Sequence, residues 1–428
     1  MTTTVLAPDD TTGLLRFATA GSVDDGKSTL VGRLLHDSKS ILSDQLEAVE
    51  RASLLRGHAA TDLALLTDGL RAEREQGITI DVAYRYFATP RRRFVLADTP
   101  GHVQYTRNMV TGASTANLAA VLVDARHGVV EQSRRHAAVA GLLRVPHVLL
   151  AVNKMDLVGW SEDVFRTIAA RFRSYAASVG IADVTAVPIS ALHGDNVVFR
   201  STSSDWYDGP SLLEHLERVP VRADPTREQF RLAVQCAIRP AGGDYRGYAG
   251  QVLSGVVRVG DTVSVLPAGR VTTVAGLDLL GRGTDVAWAP QSVTVRLADD
   301  LDVSRGDLLA SGEPPVTTDH VEATASQLSE KPLAVGDRVL LKHTTRTVRA
   351  RVAEISHRYD IAAGRRVEAA SGLGVNDIGR VVLRTAEPIA LDPYRVNRRT
   401  GAFLLIDPAD GATLAAGMAG DDPFDRAW

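Results

Sequence analysis

Gly21-Ser22-Val23-Asp24-Asp25-Gly26-Lys27-Ser28 fits the pattern G-x-x-x-x-G-K-[ST], with an apolar run, Leu14–Ala20, before it and a helical segment from Thr29 after it. Strand, glycine-bounded loop and helix is the setting a phosphate needs, because successive backbone N–H groups and the helix N-terminus converge on the anion. In that setting Lys27 reaches the β- and γ-phosphates, Ser28 ligates Mg2+ and Thr29 adds a hydroxyl near the α-phosphate. A second strand end, after residues 94–97, carries Asp98-Thr99-Pro100-Gly101. Asp98 there holds Mg2+ through water, and the N–H of Gly101 meets the γ-phosphate. A third, after residues 148–152, carries Asn153-Lys154-Met155-Asp156. The Asp156 carboxylate can accept hydrogen bonds from guanine N1–H and N2–H2, which adenine does not offer, while Asn153 contacts the purine edge and the Lys154 stem covers the ring. Ser190-Ala191, after residues 185–189, supplies a backbone N–H for guanine O6. These four elements in this order, each at a strand's carboxyl end, specify a GTP-binding domain.

Lysine usage supports the assignment. Only five of the 48 cationic residues are lysine, namely Lys27, Lys39, Lys154, Lys331 and Lys342. Two given cationic positions would both be lysine by chance about 1% of the time, and positions 27 and 154 are the two where a compact ammonium is not replaceable by a planar guanidinium. Between the phosphate loop and Asp98, residues 68–80 (DGLRAEREQGITI) read as a first switch, in which Thr79 closes on Mg2+ and the γ-phosphate when GTP is present. His102 follows Gly101 directly and is placed to orient the attacking water, so the catalytic set is His102, Thr79 and Gly101.

Elements must hold these groups in place. From residue 14 to about 218, short apolar runs alternate with segments of helical period, which predicts an α/β domain with a mostly parallel sheet. Residues 219–227, with Pro220 and Pro225, read as a linker. Beyond them short β-rich runs punctuated by glycine predict two β-barrels, at 228–312 and 316–412, split at Gly312-Glu313-Pro314-Pro315. Residues 1–13 read as an extension and 413–428, rich in Gly, Ala and Asp, as a flexible tail. Several conspicuous residues read as structural. Arg91-Arg92-Arg93 is expected in a solvated hairpin turn, Cys236 as a buried small hydrophobe, Trp206-Tyr207 as the anchor of the domain's last helix, and Arg246-Gly247-Tyr248 as a turn or part of an interface.

Composition bounds the rest. The 428 residues are 45% hydrophobic and 23% charged with a net charge of −3, which excludes a disordered chain and lacks the basic stripe of a nucleic-acid binder, so an RNA role requires a local patch. One cysteine forbids an internal disulfide, and the polar N-terminus and absence of a long apolar run point to a reducing, cytoplasmic location away from membranes.

With these motifs in place, the chain resembles the translational GTPase superfamily over nearly its full length. Within it the chain is most similar to the GTPase subunits of bacterial heterodimeric sulfate adenylyltransferase. The likeness rests on residues 21–28, where elongation factors carry histidine after the first glycine. It rests also on residues 77–87 (GITIDVAYRYF), 102–109 (HVQYTRNM) and 190–196 (SALHGDN). Val103 departs from the glutamate expected there, a difference confined to the second switch that does not touch the phosphate contacts. The resemblance implies a small adenylyl-transferring partner subunit, in a heterodimer or higher assembly, that joins ATP and sulfate into adenosine 5′-phosphosulfate while this subunit hydrolyses GTP. Some relatives continue into an adenylylsulfate kinase; with no second phosphate-loop motif, that domain is expected to be absent. The competing reading is a translation factor that binds tRNA or the ribosome. It predicts a basic face on the barrels, whereas the charges from residue 311 onward nearly cancel.

Overall fold

A computed structural model of the chain describes residues 13–39, 47, 49, 53, 63, 81–101, 106–221, 228–241, 245–369, 372–422 and 424. The backbone divides into two units, one built essentially from residues 1–221 and one from residue 222 onward.

In the first unit six strands form one sheet: β1 (Leu14–Ala20), β2 (Ala83–Ala88), β3 (Arg93–Asp98), β4 (Leu118–Asp124), β5 (His147–Asn153) and β6 (Val184–Pro188), in the order β2-β3-β1-β4-β5-β6. All neighbours are parallel except the edge pair β2 and β3. Every residue of β4 is buried, as expected of a strand covered on both faces, where a continuous apolar run replaces alternation. Among the described residues, five helices cover it: α1 (Lys27–Asp37), α2 (Thr106–Ser114), α3 (Glu131–Leu142), α4 (Glu162–Ser178) and α5 (Leu212–Arg218). Leu30, Leu34, Phe94, Leu122 and Leu216 meet in the core on the α1 and α5 side.

α5 begins with a capping box in which Ser211 Oγ accepts from Glu214 N at 3.2 Å and Glu214 Oε2 from Ser211 N at 3.1 Å. Tyr207 supports this start by donating to Pro210 O at 3.0 Å. The helix's far end corrects an expectation: Arg92 is not solvated but 3% exposed, donating from Nη1 to Leu216 O at 2.9 Å and Val219 O at 2.6 Å. A guanidinium suits this place because the last carbonyls of a helix lack partners within it.

The second unit holds two closed six-strand rings, with the short strands β9 (Val256–Arg258), β12 (Arg282–Thr284), β13 (Val286–Trp288) and β19 (Arg365–Val367) outside them. The first runs β10 (Thr262–Leu266), β15 (Leu308–Ala310), β7 (Arg231–Ile238), β8 (Gly247–Ser254), β14 (Ser292–Leu297) and β11 (Arg270–Leu279), and closes through β10 and β11. The second runs β17 (Arg338–His343), β21 (Ala402–Ile406), β22 (Thr413–Ala419), β16 (Val316–Gln327), β20 (Ile378–Leu391) and β18 (Arg346–Asp360), and closes through β17 and β18. Closure removes the exposed edges that invite aggregation.

Three expectations are corrected here. Residues 413–419 are not tail but the strand β22, paired with β16 and β21. Their small side chains reflect close packing, since a Cβ on Gly417 would overlap the Phe403 ring. Cys236 is exposed, because a bulge between Val234 and Cys236 turns the end of β7 outward. Gly247 and Tyr248 open β8, and Tyr248 is 1% exposed in the barrel core.

Within this unit a buried ion pair ties β7 of the first ring to the end of β20 in the second. Arg231 donates to Asp392 from Nε at 2.9 Å and from Nη2 at 3.0 Å, and it also holds Ser311 O at 3.0 Å and Glu313 O at 2.6 Å in the segment between the rings. Asp392 further accepts from Thr400 Oγ1 at 2.6 Å. Such a pair is tolerated only when every lone pair and proton is matched. Asp392→Ala should therefore cost roughly 3–5 kcal/mol of unfolding free energy, while Arg231→Met combined with Asp392→Leu costs much less. Urea unfolding checks this, and equal losses in both variants would remove the pair from the account.

Candidate functional site

The carboxyl ends of β1, β3, β4 and β5 converge on the loop from Gly21 to Gly26. Two of its residues are left-handed, Asp24 at φ 66° and Gly26 at φ 91°, and at Gly26 a side chain would also run into Asn153 Nδ2. Asp25 closes the loop on itself by accepting from Ser22 N at 2.6 Å. Burial pushes the Asp25 carboxyl pKa up, against the pull of the Ser22 N–H and the Lys27 ammonium.

The loop's carbonyls are met by side-chain donors. Lys27 Nζ donates to Gly21 O at 2.7 Å and Ser22 O at 2.8 Å, Lys154 Nζ to Asp24 O at 2.5 Å, and Asn153 Nδ2 to Asp25 O at 2.8 Å. With its carbonyls turned to these donors, the loop offers N–H groups and the first turn of α1 to a phosphate. Lys27 is 7% exposed; burial pushes its pKa down while Asp98, Asp25 and Asp24 support the charge. An ammonium has three N–H donors, and two are engaged by carbonyls.

Gly101, at the end of the Asp98-Thr99-Pro100-Gly101 turn, lies over this lysine so closely that a Cβ would overlap Lys27 Nζ and Gly21 O. Gln132 Nε2 of α3 donates to Gly101 O at 3.3 Å. Asp98 is 1% exposed and accepts from Thr19 Oγ1 at 2.9 Å, while Ser28 and Thr29 sit half-buried in the first turn of α1. The oxygen donors Ser28 and Asp98 suit Mg2+, and Ser22 Oγ is a buried hydroxyl with no partner at the same loop. No group of three or more His, Cys, Asp or Glu side chains that could hold a metal ion occurs among the described residues. His102 and Thr79, the rest of residues 68–80, and Val103 lie outside the described residues.

On the base side the groups also brace one another. Asn153 Nδ2 holds Asp25 O at 2.8 Å and its Oδ1 accepts from Ala191 N at 2.9 Å, one of the two backbone N–H groups of Ser190-Ala191. Lys154, left-handed at φ 62°, links Asp24 O to Asp124 Oδ2 at 3.0 Å. Asp156 stands partly open in a short 3-10 turn, Met155–Val158, with His193 Nε2 3.8 Å from its Oδ2. Ser190 is buried, and Asn196 braces the following loop through Pro188 O at 2.9 Å.

Sequence reasoning missed Asp124. It sits at the end of β4, between β1 and β5, and is 2% exposed. Arg126 donates to it from Nη2 at 2.6 Å and from Nε at 3.1 Å. Burial opposes its ionisation, but the bonds from Arg126 and Lys154 outweigh that and hold the carboxyl well below the usual range. Its strand-end position in a sheet of this class was the available signal. His136 of α3 was also missed: it is fully buried beside Met109 Sδ at 3.0 Å, and burial with the nearby Lys27 ammonium pushes its pKa down to about 3, so the ring is neutral. Nothing in the sequence separates it from a packing histidine.

Fold and site together define a GTPase of the translational type. Residues 12–237 match the Elongation factor Tu GTP binding domain, and residues 320–419 match the GTP-eEF1A C-terminal domain-like family. The chain belongs to the sulfate adenylyltransferase subunit 1 family within that superfamily. It is 50% identical over 416 residues to sulfate adenylyltransferase subunit 1 of Bacteroides fragilis, covering 96% of this chain and 87% of that protein. The corresponding protein of Cellvibrio japonicus is 49% identical, with 96% and 88% covered. The bifunctional enzyme CysN/CysC of Mycobacterium tuberculosis is 56% identical over 95% of this chain and 67% of its own length.

Asp124 generates a test. Asp124→Asn leaves Lys154 without its anion, and GTP and GDP affinity should fall equally, by roughly tenfold, the scale of one charged hydrogen bond. Fluorescent-nucleotide titration measures it; loss for GTP alone would move the residue's role to the γ-phosphate.

Proposed function

We propose that this chain is the GTP-binding and GTP-hydrolysing subunit of a cytoplasmic sulfate adenylyltransferase, coupling hydrolysis to the formation of adenosine 5′-phosphosulfate by an adenylyl-transferring partner subunit. The observation that carries the reading is identity of about half the residues to proteins named sulfate adenylyltransferase subunit 1, over 96% of this chain. The phosphate loop with its buried Lys27 supports the nucleotide half of it. Transferring the adenylyl group of ATP to sulfate, with pyrophosphate leaving, makes a mixed anhydride and is strongly uphill, so GTP hydrolysis supplies the drive that this transfer lacks.

In this reading the N–H groups of residues 21–26 and Lys27 hold the phosphates, and Thr29 adds its hydroxyl. Ser28, Thr79 and Asp98 would hold Mg2+, which when bound neutralises charge on the β- and γ-phosphate oxygens. Gly101 and His102 place the attacking water, and Asp156 reads guanine. Residues 14–218 form the GTPase domain, followed by the barrels 228–312 and 316–419.

Copurification with the adenylyl-transferring subunit and GTP-stimulated synthesis of adenosine phosphosulfate test the reading; a chain that binds GTP but neither joins that subunit nor stimulates the synthesis would end it. Asp156→Asn replaces a double acceptor with an amide and should move preference from GTP towards XTP, whose C2 carbonyl accepts from the new N–H. Unchanged discrimination would place base reading elsewhere. A protein that hydrolysed GTP freely would waste the drive, so the isolated chain should turn GTP over slowly. The partner and its substrates then select the competent arrangement, which needs a differential affinity of roughly 3–5 kcal/mol. Full-rate hydrolysis by the lone chain would exclude this coupling.

A further inference from the structure

The outer wall of the second ring carries a row of cations. Arg338 of β17 lies directly opposite Arg351 of β18, and Arg351 lies directly opposite Arg384 of β20. Directly opposed residues share a face of the sheet, with their Cβ atoms about 5 Å apart. Two positions back along β18, on the same face, is Arg349, opposite Leu340, and Lys342 follows opposite Thr347. The alternate residues Val339, Leu341, Val348, Ala350 and Val352 point into the core. Arg338, Arg349, Arg351 and Arg384 are exposed and Lys342 half-buried. Arg384 has a carboxylate nearby, Asp319 at 3.7 Å; among the described residues none of the other four is ion-paired.

Like charges directly opposite one another destabilise a sheet, so this row gains whenever an anionic surface covers it. Two observations choose among anionic surfaces. Leu340 sits within the row and Leu404, 37% exposed, lies beside Lys342 on β21, which gives the mixed apolar and arginine character of a protein interface. Among the described residues no exposed large side chain of this ring is aromatic, so the face lacks the stacking platforms of single-strand nucleic-acid binders.

We propose that the face formed by Arg338, Lys342, Arg349, Arg351 and Arg384 docks a carboxylate-rich surface of the adenylyl-transferring subunit. The proposal rests on the subunit reading above and adds where that subunit binds.

The test uses the full chain and the purified adenylyl-transferring subunit of the same organism, with affinity measured at low and high salt. Arg349→Glu combined with Arg351→Glu should weaken association at least about tenfold at low salt and flatten its salt dependence, while GTP affinity stays unchanged. Arg351→Lys, which keeps the charge, should lose far less. Folding is controlled by the thermal midpoint, which should hold or rise because Arg351→Glu relieves repulsion from Arg338 and Arg384. If the unaltered chain binds the subunit and the reversed chain binds equally well, the docking face is wrong and the subunit reading survives. If the unaltered chain does not bind that subunit, both fall. If reversal instead abolishes binding of transfer RNA and leaves subunit affinity intact, the face belongs to nucleic acid and the proposal is overturned.

Discussion

A loop that aims its N–H groups at one anion must aim its carbonyls away from it, and a buried carbonyl without a donor costs about 1–3 kcal/mol. The nucleotide site is organised around that constraint. Gly21, Ser22, Asp24 and Asp25 each give a carbonyl to an ammonium or amide of Lys27, Lys154 or Asn153. These donors come from the loop's own helix and from the end of β5, so the sheet order, which brings β5 within reach of the β1 loop, is part of the phosphate site. Asp24 and Lys154 are both left-handed non-glycine residues and are bonded to each other, so two costly backbone conformations hold one another in place.

The charges follow the same logic. Lys27 is nearly dry, and the acids Asp98, Asp25 and Asp24 around it make a buried ammonium tenable. A second cation close by would not be, and His136 stays neutral there. The Lys154 ammonium has its own anion in Asp124, which Arg126 keeps ionised. Two cations thus stand on separate carboxylate supports, one towards the phosphates and one towards the base.

Much of this was legible in the sequence, and what was not has definite causes. Motif order and the scarcity of lysine located Lys27, Asp98, Lys154 and Asp156 at strand ends, and the texture change near residue 220 located the barrels. Motif reading assigns a residue to the ligand and is silent on its protein partners: Asn153 is engaged by Asp25 O and Ala191 N, a pairing that depends on how β5 and β6 end side by side. Arg92 looked like surface because its partners, Leu216 O and Val219 O, are more than a hundred residues away. Residues 413–419 looked like tail because Gly and Ala signal looseness locally, whereas opposite Phe403 they signal contact.

Net charge speaks for a whole segment and not for one face of it. Charges that nearly cancel along residues 311–428 still separate in space, because strand residues alternate between the two faces of a sheet. The alternation was present in Val348-Arg349-Ala350-Arg351-Val352, but which neighbours would stand beside those arginines depended on the register with Arg338 and Arg384. Since the inward set, Val348, Ala350 and Val352 among it, carries the packing of the ring, the outward set is free of the core's packing constraint, although opposed cations on it still repel. What those outward positions hold is then decided by whatever touches the wall, so a sum over sequence can exclude a uniformly basic domain but not a basic face.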